Sequence, residues 1–429
     1  MPIWIKDGDV VDPVRGVVQR LDIIIEHGHV KRIMPQGLFK EQGTRLRIVD
    51  ASGKIVVPGL VDMHVHLREP GYEHKETIAT GSLAGVAGGF TALACMPNTD
   101  PANDNSSVTG YILAQARKTN LLEVYPIASI TKGLKGEVLT DFSALRKAGA
   151  IGVSDDGFPV RDPEVMKQAT EEAHENGLTI ISHCEDTDLS RDGVMHEGVI
   201  SSRLGLKGIP SGSEEVAIKR EIAIAEITGC PVHIAHVSTK GSVEVIRWAK
   251  EESVPVTAET APHYFSLDHK AVIGYNTNTK MNPPLRTPED VEAIKQGLKD
   301  GVIDVIATDH APHSRTEKKQ DFDKAPFGIL GLETAVPLTL NLVRDGILSL
   351  PDAIRKLSYN PANILNVSGG FIEEGSEADL AIIDTECAYV LKEEDFHSKS
   401  INSPFIGKSL KGKNVLTIVK GRIVWERDV

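Results

Sequence analysis

Short apolar runs alternate with longer amphipathic segments through the middle of the chain. Apolar runs of strand length predict buried strands, and eight of them occur: Leu60–His66, Phe90–Cys95, Leu122–Ala128, Ala150–Ser154, Leu178–His183, Val232–Val237, Val254–Ala258 and Val302–Thr308. Helical segments separate most of these runs, among them Glu73–Val86, Pro163–Asn176, Glu214–Thr228, Gly241–Glu252 and Pro288–Lys299. The alternation predicts an α/β fold, a (β/α)8 TIM-type barrel. A doubly wound open sheet is the competing prediction, but no GxGxxG motif follows the first strand to support it.

Both ends of the chain have a different pattern, with short strands and turn signals but little helix. Leu21–Gly28 near one end and Ala378–Asp384 and Val415–Trp425 near the other are typical of antiparallel strands. Neither end is large enough to bury much apolar surface alone. We therefore predict a small β-sandwich domain formed by both termini, residues 1–55 and 368–429, and a barrel over residues 56–367.

Composition and charge narrow the class of protein. A chain of 429 residues accommodates one large barrel with an appended domain. The net charge of -13 argues against nucleic acid as a partner. It also means that a site for an anionic substrate would need positively charged side chains of its own. No apolar run approaches the ~20 residues of a membrane span, and the N-terminal residues lack a signal-peptide pattern. Four cysteines without CxxC spacing predict free thiols and a cytoplasmic location.

Polar side chains follow the predicted strands at the points where they end. His64 and His66 are two apart on the first strand and therefore share a face. Barrel enzymes carry their catalytic groups at the carboxyl ends of the strands. Later strand ends supply four further candidates, which are Asp156, His183, His236 and Asp309.

Some of these candidates have close rivals in the sequence. His233 lies three residues before His236, and the odd offset places the two on opposite faces of the strand. The strand-end position favours His236. Asp155 competes with Asp156 and is interpreted as a turn residue before Gly157. Lys318-Lys319 is interpreted as part of a solvated loop.

Four imidazoles and two carboxylates are enough for two metal ions. The predicted division gives one metal His64, His66 and Asp309, and the other His183 and His236, with Asp156 bridging them. Mixed imidazole and carboxylate ligands suit Zn²⁺. A metal pair acidifies a shared water and polarises a carbonyl. The pattern therefore predicts hydrolytic attack on a carbonyl centre, or the reverse reaction.

Two motifs resemble the signatures of a known family. Pro58–Gly71, PGLVDMHVHLREPG, resembles the signature of the dihydroorotases within the cyclic amidohydrolase superfamily, and Ala307–His313, ATDHAPH, resembles their second signature. The resemblance covers essentially the whole chain and is closest to the bacterial class I type. It implies zinc-dependent, reversible cyclisation of N-carbamoyl-L-aspartate to (S)-dihydroorotate in pyrimidine biosynthesis. The family's metal-ligand positions fall on the six residues above. For this reaction we expect a metal-bridging hydroxide to attack the ring carbonyl carbon, with Asp309 as general acid and base.

The resemblance also implies a set of substrate contacts, which are His66, Arg68, Asn98, Asn282, His313, Phe327 and Gly328. Arg68 and Asn98 match positions that hold the substrate's α-carboxylate, and a planar guanidinium suits that group. Asn282 and His313 match further ring and carboxylate contacts, and Phe327-Gly328 matches a backbone contact. The long loop His310–Gly328 is expected to close over the substrate.

Alternatives remain at this point. Many superfamily members bridge their metals with a carboxylated lysine after the fourth strand, whereas this chain has Asp155-Asp156 and no lysine there. This speaks against a hydantoinase or dihydropyrimidinase. Allantoinase or another cyclic-amide hydrolase stays open, as does a non-catalytic dihydroorotase-like subunit of aspartate transcarbamoylase. The expected partners are a small-molecule substrate, a second copy in a homodimer, and aspartate transcarbamoylase; neither nucleic acid nor a membrane is expected.

Overall fold

Strands and helices alternate through the middle of the computed structural model, which describes residues 1–39 and 46–427. The strands are β1 (Ile3–Asp12), β2 (Val17–Glu26), β3 (His29–Pro35), β4 (Arg47–Asp50), β5 (Ile55–Pro58), β6 (Leu60–Val65), β7 (Phe90–Cys95), β8 (Glu123–Ala128), β9 (Gly152–Val153), β10 (Thr179–Ser182), β11 (Met195–His196), β12 (Gly208–Ile209), β13 (Val232–Ile234), β14 (Val256–Thr260), β15 (Val305–Ile306), β16 (Leu380–Val390), β17 (Ser409–Val419) and β18 (Arg422–Glu426).

The helices fill the connections between the barrel strands and continue beyond the last of them. They are α1 (Ile78–Gly88), α2 (Ser106–Thr119), α3 (Phe142–Ala148), α4 (Pro163–Glu175), α5 (Thr187–Ser190), α6 (Val199–Leu204), α7 (Gly212–Thr228), α8 (Lys240–Glu251), α9 (Pro262–Ser266), α10 (Pro288–Lys299), α11 (Arg315–Lys318), α12 (Ala335–Arg344), α13 (Leu350–Leu357) and α14 (Tyr359–Leu365). Short 3₁₀ turns occupy Lys132–Leu134, His269–Val272, Thr277–Thr279 and Glu393–Asp395.

Eight parallel strands form the barrel, in the order β6-β7-β8-β9-β10-β13-β14-β15. The barrel closes where Val65 bridges His310 in parallel and the His66 amide donates to the His310 carbonyl at 2.9 Å. One buried apolar cluster joins side chains from strands on all sides, including Met63, Ala94, Ile127, Ile181, Ala235 and Val305. Side chains of such distant strands meet only inside the barrel, so its interior is a packed core. The predicted (β/α)8 barrel is confirmed.

The predicted elements agree with the structure except at one helix start. Each of the eight predicted strands contains or overlaps an observed barrel strand. Helix α1 begins at Ile78 instead of Glu73. Thr77 caps this helix, because its hydroxyl accepts the Thr80 amide while the Thr80 hydroxyl accepts the Thr77 amide. A reciprocal cap of this kind fixes the first helical turn.

Both ends of the chain contribute to a second sheet, in the order β18-β17-β16-β5-β1-β2-β3, with β4 paired to β1. Strand β5 joins the two contributions, because it runs parallel to β1 and antiparallel to β16. A separate apolar core packs against this sheet and includes Ile5, Ile23, Val56, Leu380 and Ile418. The sheet thus extends across residue 55, where we predicted the boundary, and the bounds of the two domains stay a prediction.

Two long connections contain short elements of their own. Leu189–Ser213 contains α6 and the small parallel pair β11-β12, and His310–Gly328 contains α11. Among the described residues, no helix has both the length and the apolar character needed to cross a membrane.

Candidate metal centre and active site

Buried histidines and an aspartate converge at the carboxyl ends of the barrel strands. Ligand atoms of His64, His66 and Asp156 lie within 4.8 Å of one another, and those of Asp156, His183 and His236 do the same. Asp156 therefore belongs to both triads, with Oδ1 at 3.4 Å from His64 Nε2 and 3.3 Å from His183 Nδ1. A carboxylate shared by two triads is the arrangement expected of a bridging ligand.

Asp309 completes this cluster from the end of the last barrel strand. Its Oδ1 is 3.1 Å from His66 Nε2 and 3.7 Å from His64 Nε2. The structure thus brings together all six residues predicted as metal ligands. They form the metal half of the site: His64, His66, Asp156, His183, His236 and Asp309.

The outer nitrogen of three of these histidines donates to an oxygen behind it. His64 Nδ1 donates to Glu259 Oε1 at 2.5 Å, and His66 Nδ1 donates to Asn98 Oδ1 at 2.8 Å. In the second triad, His183 Nε2 lies 3.0 Å from Glu185 Oε2. Such partners fix the tautomer and orientation of metal-ligating imidazoles.

The tautomers set by these partners leave lone pairs pointing into the cluster. His64 Nε2 is buried and has no hydrogen-bond partner among the described residues. His183 Nδ1 and His236 Nε2 face each other at 2.8 Å. Lone pairs that face carboxylates and one another are stabilised by cations placed between them. The residues present therefore fit a pair of divalent metal ions.

The electrostatics of the cluster favour positive charge. Burial lowers the pKa of His183, but hydrogen bonds and charge from Asp156 and Glu185 outweigh this and raise it to about 10, so the surrounding negative charge draws a cation, either a proton or a metal ion, to the inner nitrogen of the ring. Burial likewise opposes the ionised form of Glu185, yet His183 lowers the pKa of that carboxyl to about 2. Buried imidazoles and ionised carboxylates together form a site that attracts cations.

The rival residues of the sequence lie outside the cluster. His233 Nδ1 is 2.7 Å from the Thr257 hydroxyl, and its Nε2 is 3.3 Å from Glu259 Oε2. Asp155 Oδ1 accepts the amides of Ile130 and Thr131 at 2.7 and 3.1 Å, so it holds a neighbouring turn. Burial raises the pKa of Asp155 to about 6.

A second group of predicted residues lies on one side of the metal half. Arg68 Nε donates to the Pro312 carbonyl at 3.2 Å, and its guanidinium is 3.2 Å from His313 Nε2. His313 Nε2 donates to the Phe327 carbonyl at 2.7 Å. Burial and the nearby Arg68 charge hold the pKa of His313 well below its usual range, so the ring is neutral. Arg68, His313 and Phe327-Gly328 form the loop half of the site.

The two predicted substrate amides connect to residues of the cluster. Asn98 Nδ2 lies 3.3 Å from Asp156 Oδ2 in addition to the His66 contact of its oxygen. Asn282 Nδ2 donates to Glu185 Oε2 at 2.9 Å. In this structure the two amides therefore also orient the metal half, a role that the sequence did not indicate.

Gly328 occupies a position that no other residue fits well. A Cβ added there would lie 2.5 Å from the Ala311 carbonyl oxygen and 2.7 Å from His313 Cδ2, and φ is 151°. Its amide donates to the Lys280 carbonyl at 2.9 Å. The predicted backbone contact of Phe327-Gly328 to substrate stays a prediction, because both groups are bonded within the protein here.

Sequence reasoning missed one partner of the cluster and misjudged one lysine. Glu259 is 1% exposed and supports His64, but a single glutamate at the end of β14 carries no motif that would reveal this. Lys318 was predicted to be solvated, and the structure buries it, leaving 6% exposed. That prediction was wrong because three backbone carbonyls of neighbouring segments surround its ammonium group.

A barrel whose strand ends bring together two pairs of histidines around one shared aspartate is the architecture of a metal-dependent hydrolase. The family model described as Dihydro-orotase-like matches residues 53–242. The dihydroorotase of Geobacter metallireducens is 51% identical over 427 residues, which cover 100% of both chains. That of Syntrophus aciditrophicus is 48% identical over 428 residues, again 100% of both. The chain belongs to the dihydroorotase family.

A solved structure extends the likeness to another branch of these hydrolases. The L-hydantoinase (dihydropyrimidinase) from Arthrobacter aurescens superposes with a TM-score of 0.88 at 26% identity, over 99% of this chain and 96% of that one. Its fold combines the same barrel and terminal β-structure.

Proposed function

We propose that the protein catalyses the reversible cyclisation of N-carbamoyl-L-aspartate to (S)-dihydroorotate, using two zinc ions. The observation that carries this proposal is the position of Asp156 in both histidine triads. Membership of the dihydroorotase family supports the choice of substrate, since full-length relatives that carry this name are about half identical to the chain.

The metal half supplies ligands for each zinc ion. His64, His66 and Asp309 would hold one, His183 and His236 the other, and Asp156 would bridge them. Imidazole and carboxylate donors suit Zn²⁺ and leave positions open for water and substrate. When bound, the two ions acidify a water between them and polarise the carbonyl that it attacks.

Asp309 moves the proton in this proposal. Its Oδ1 is directed at His66 and His64, which leaves Oδ2 to accept a proton from the attacking water. In ring opening, the same oxygen returns the proton to the ring nitrogen that leaves. In biosynthesis, it takes the proton from the carbamoyl nitrogen as the ring closes. General acid and base catalysis by one carboxylate satisfies both directions.

The loop half binds the carboxylate of the substrate. Carbamoyl aspartate is a dianion and the chain is acidic, so the site must supply its own cation. Arg68 does so with a guanidinium beside His313, and Asn98 adds an amide donor. A guanidinium binds a carboxylate with two parallel hydrogen bonds, which also fixes the orientation of the ring. The neutral His313 and the backbone at Phe327-Gly328 complete this side.

Two alternative functions are disfavoured by particular residues. A hydantoinase or an allantoinase has no need of Arg68 for a ring carboxylate, and the bridging position here is Asp156. A non-catalytic subunit is expected to lose metal ligands, whereas all six predicted ligands cluster.

The decisive experiment pairs metal analysis with an assay of the isolated chain. We expect two zinc ions per chain and hydrolysis of dihydroorotate at alkaline pH, with little turnover of hydantoin or allantoin. Preference for allantoin would establish the alternative hydrolase instead. A zinc-free chain that stays inactive after zinc is restored would support the non-catalytic subunit.

We further propose a cytoplasmic homodimer that associates with aspartate transcarbamoylase. Support comes from the resemblance to the bacterial class I dihydroorotases. Light scattering of the purified chain, alone and with aspartate transcarbamoylase, tests both associations. A monomer that forms no complex and retains full activity would contradict them.

A further inference from the structure

Lys318 is a buried cation inside the loop His310–Gly328. Its ammonium group lies 2.8 Å from the Pro326 carbonyl, 3.0 Å from that of Thr277 and 3.5 Å from that of Lys280. An ammonium has three N–H donors, so three carbonyls can satisfy it. A charged group leaves water only where such partners replace its hydration. The position of Lys318 is therefore specified by the surrounding backbone.

These carbonyls come from two separate segments that Lys318 holds together. Pro326 directly precedes Phe327-Gly328, whereas Thr277 and Lys280 lie just before Asn282 in another connection of the barrel. A further hydrogen bond joins the same two segments, because the Thr277 hydroxyl donates to the Lys318 carbonyl. The Gly328 amide donates to the Lys280 carbonyl at 2.9 Å.

A second lysine holds the same loop from the other side. Lys280 Nζ donates to the Asp323 carbonyl at 3.1 Å and lies 4.7 Å from the centre of the Phe327 ring. Cations over aromatic rings are attracted by the ring face. The stretch from Asp323 to Gly328 is thus fixed by two ammonium groups and not by apolar packing alone.

We propose that Lys318 is a positioning residue for substrate binding, which holds the loop so that His313 and Phe327-Gly328 face the substrate. This inference rests on the proposed function, because it assigns Lys318 to the substrate side of that reaction. The bonds of Lys318 run to backbone carbonyls outside the metal half. Its loss should therefore weaken binding far more than it slows the chemical step.

The chain offers two matched controls for the role of this lysine. Lys319 is the next residue and is exposed, so it tests the removal of charge alone. Lys356 lies in α13, away from the loop, and is as buried as Lys318, at 6% exposure. Its ammonium group donates to the Ile303 carbonyl at 2.6 Å. It tests the general cost of removing a buried lysine.

The experiment compares Lys318→Met, Lys319→Met and Lys356→Met in the zinc-loaded full chain. KM and kcat are measured for N-carbamoyl-L-aspartate below about pH 7, where the Lys318 amine is protonated, and hydrogen–deuterium exchange of the loop is measured at the same pH. We expect Lys318→Met to raise KM about tenfold, as follows when the binding-competent loop falls to about a tenth of the population. Its kcat and zinc content should change little, and exchange should increase over residues 315–328. Neither control should raise KM.

The outcomes separate this role from simple destabilisation. An unchanged KM in Lys318→Met, or an equal rise in Lys356→Met, would overturn the proposal. If Lys318→Met does not fold, Thr277→Val removes the half-buried hydroxyl bonded to the Lys318 carbonyl, and a smaller rise in KM is expected; no rise overturns it. If the parent protein does not hydrolyse dihydroorotate, the proposed function fails. In that case, hydrogen–deuterium exchange over residues 315–328, compared between Lys318→Met and Lys319→Met, still decides whether Lys318 holds the loop.

Discussion

The metal half and the loop half of the site are built by different means. The metal half stands on strand ends, and its imidazoles are backed by the side chains of Glu259, Asn98 and Glu185. The loop half lies largely in one long connection, which the ammonium group of Lys318 fastens to neighbouring backbone. With the proposed function, the chemical step would depend on side chains at the barrel strand ends, and binding would depend on a segment held by a few polar contacts. Substitutions in the two halves should separate kcat from KM.

The largest effect is expected in the metal half, from Asp309→Asn. The amide keeps the shape of the carboxylate and an oxygen ligand but cannot carry the proton. We expect kcat to fall by about 10³-fold, within the usual contribution of a positioned general acid or base. Zinc content and KM should stay near those of the parent protein, as checked by metal analysis and steady-state kinetics. Turnover within a few-fold of the parent would remove Asp309 from the proton-transfer role.

The next effect is expected behind the metal half, from Glu259→Gln. The Glu259 carboxylate accepts a hydrogen bond of 2.5 Å from His64 Nδ1. An uncharged amide in its place would accept a weaker hydrogen bond and would make the imidazole less basic. Loss of such a partner typically lowers metal affinity by about 10- to 100-fold. Competition with a zinc chelator measures this affinity. An unaltered affinity would show that the histidine is oriented without this glutamate.

In the loop half, Arg68→Met should act on binding. The guanidinium is the charged partner proposed for the substrate carboxylate, and a hydrogen bond to a charged group contributes about 1.5–3 kcal/mol. We expect KM for dihydroorotate to rise by about tenfold or more, with zinc content unchanged. A tenfold fall in kcat at constant KM would instead assign Arg68 to the chemical step. The two halves would then not differ in their effects on kcat and KM.

A pH dependence of stability, measured separately from activity, is also expected in the loop half. Burial, together with the charges of Lys280 and Arg68 and against the opposing charge of Glu317, lowers the pKa of Lys318 from its ordinary value of 10.5 to about 7. The unfolded chain therefore binds this proton more tightly, which destabilises the folded state below about pH 7. That penalty disappears as the pH rises towards about 10, at up to about 1.4 kcal/mol per pH unit.

Denaturant titrations of the parent and of Lys318→Met measure this dependence. The free energy of unfolding of the parent minus that of the variant should increase steadily over the same range of pH. A difference that is flat or falls with pH would show that the lysine keeps an ordinary pKa in the folded protein.

The contrast between the halves also explains what the sequence revealed. His64 and His66 are recognisable because the strand period places them on one face, and Asp309 follows a predicted strand directly. Glu259 and Lys318 are not recognisable, because Glu259 contacts His64 across 195 residues of sequence and Lys318 contacts backbone carbonyls, one of them 41 residues away. The barrel and the predicted ligands can be recognised from local sequence patterns. The residues that hydrogen-bond to those ligands and to the loop depend on tertiary contacts, which no local pattern encodes.

Backbone conformation adds a feature that residue identity could not predict. Arg68, His236 and Asp309 have φ values of 61°, 35° and 47°, in the left-handed region that non-glycine residues adopt rarely. All three lie where a strand gives way to a loop. Strain of this kind persists where the surrounding structure holds it, often at functional sites.

Strand β5 has a consequence for how the molecule is divided. It ends at Pro58 in the terminal sheet, and β6 begins at Leu60, four residues before His64, with only Gly59 between them. A Cβ on Gly59 would lie 2.1 Å from the Thr91 hydroxyl, so this linking residue packs closely against the neighbouring strand β7. A fragment cut to the barrel alone would separate the strand that carries His64 from the terminal sheet. The terminal sheet and the strand that carries His64 are therefore joined by a single residue, so that removing the sheet should disturb the candidate metal centre.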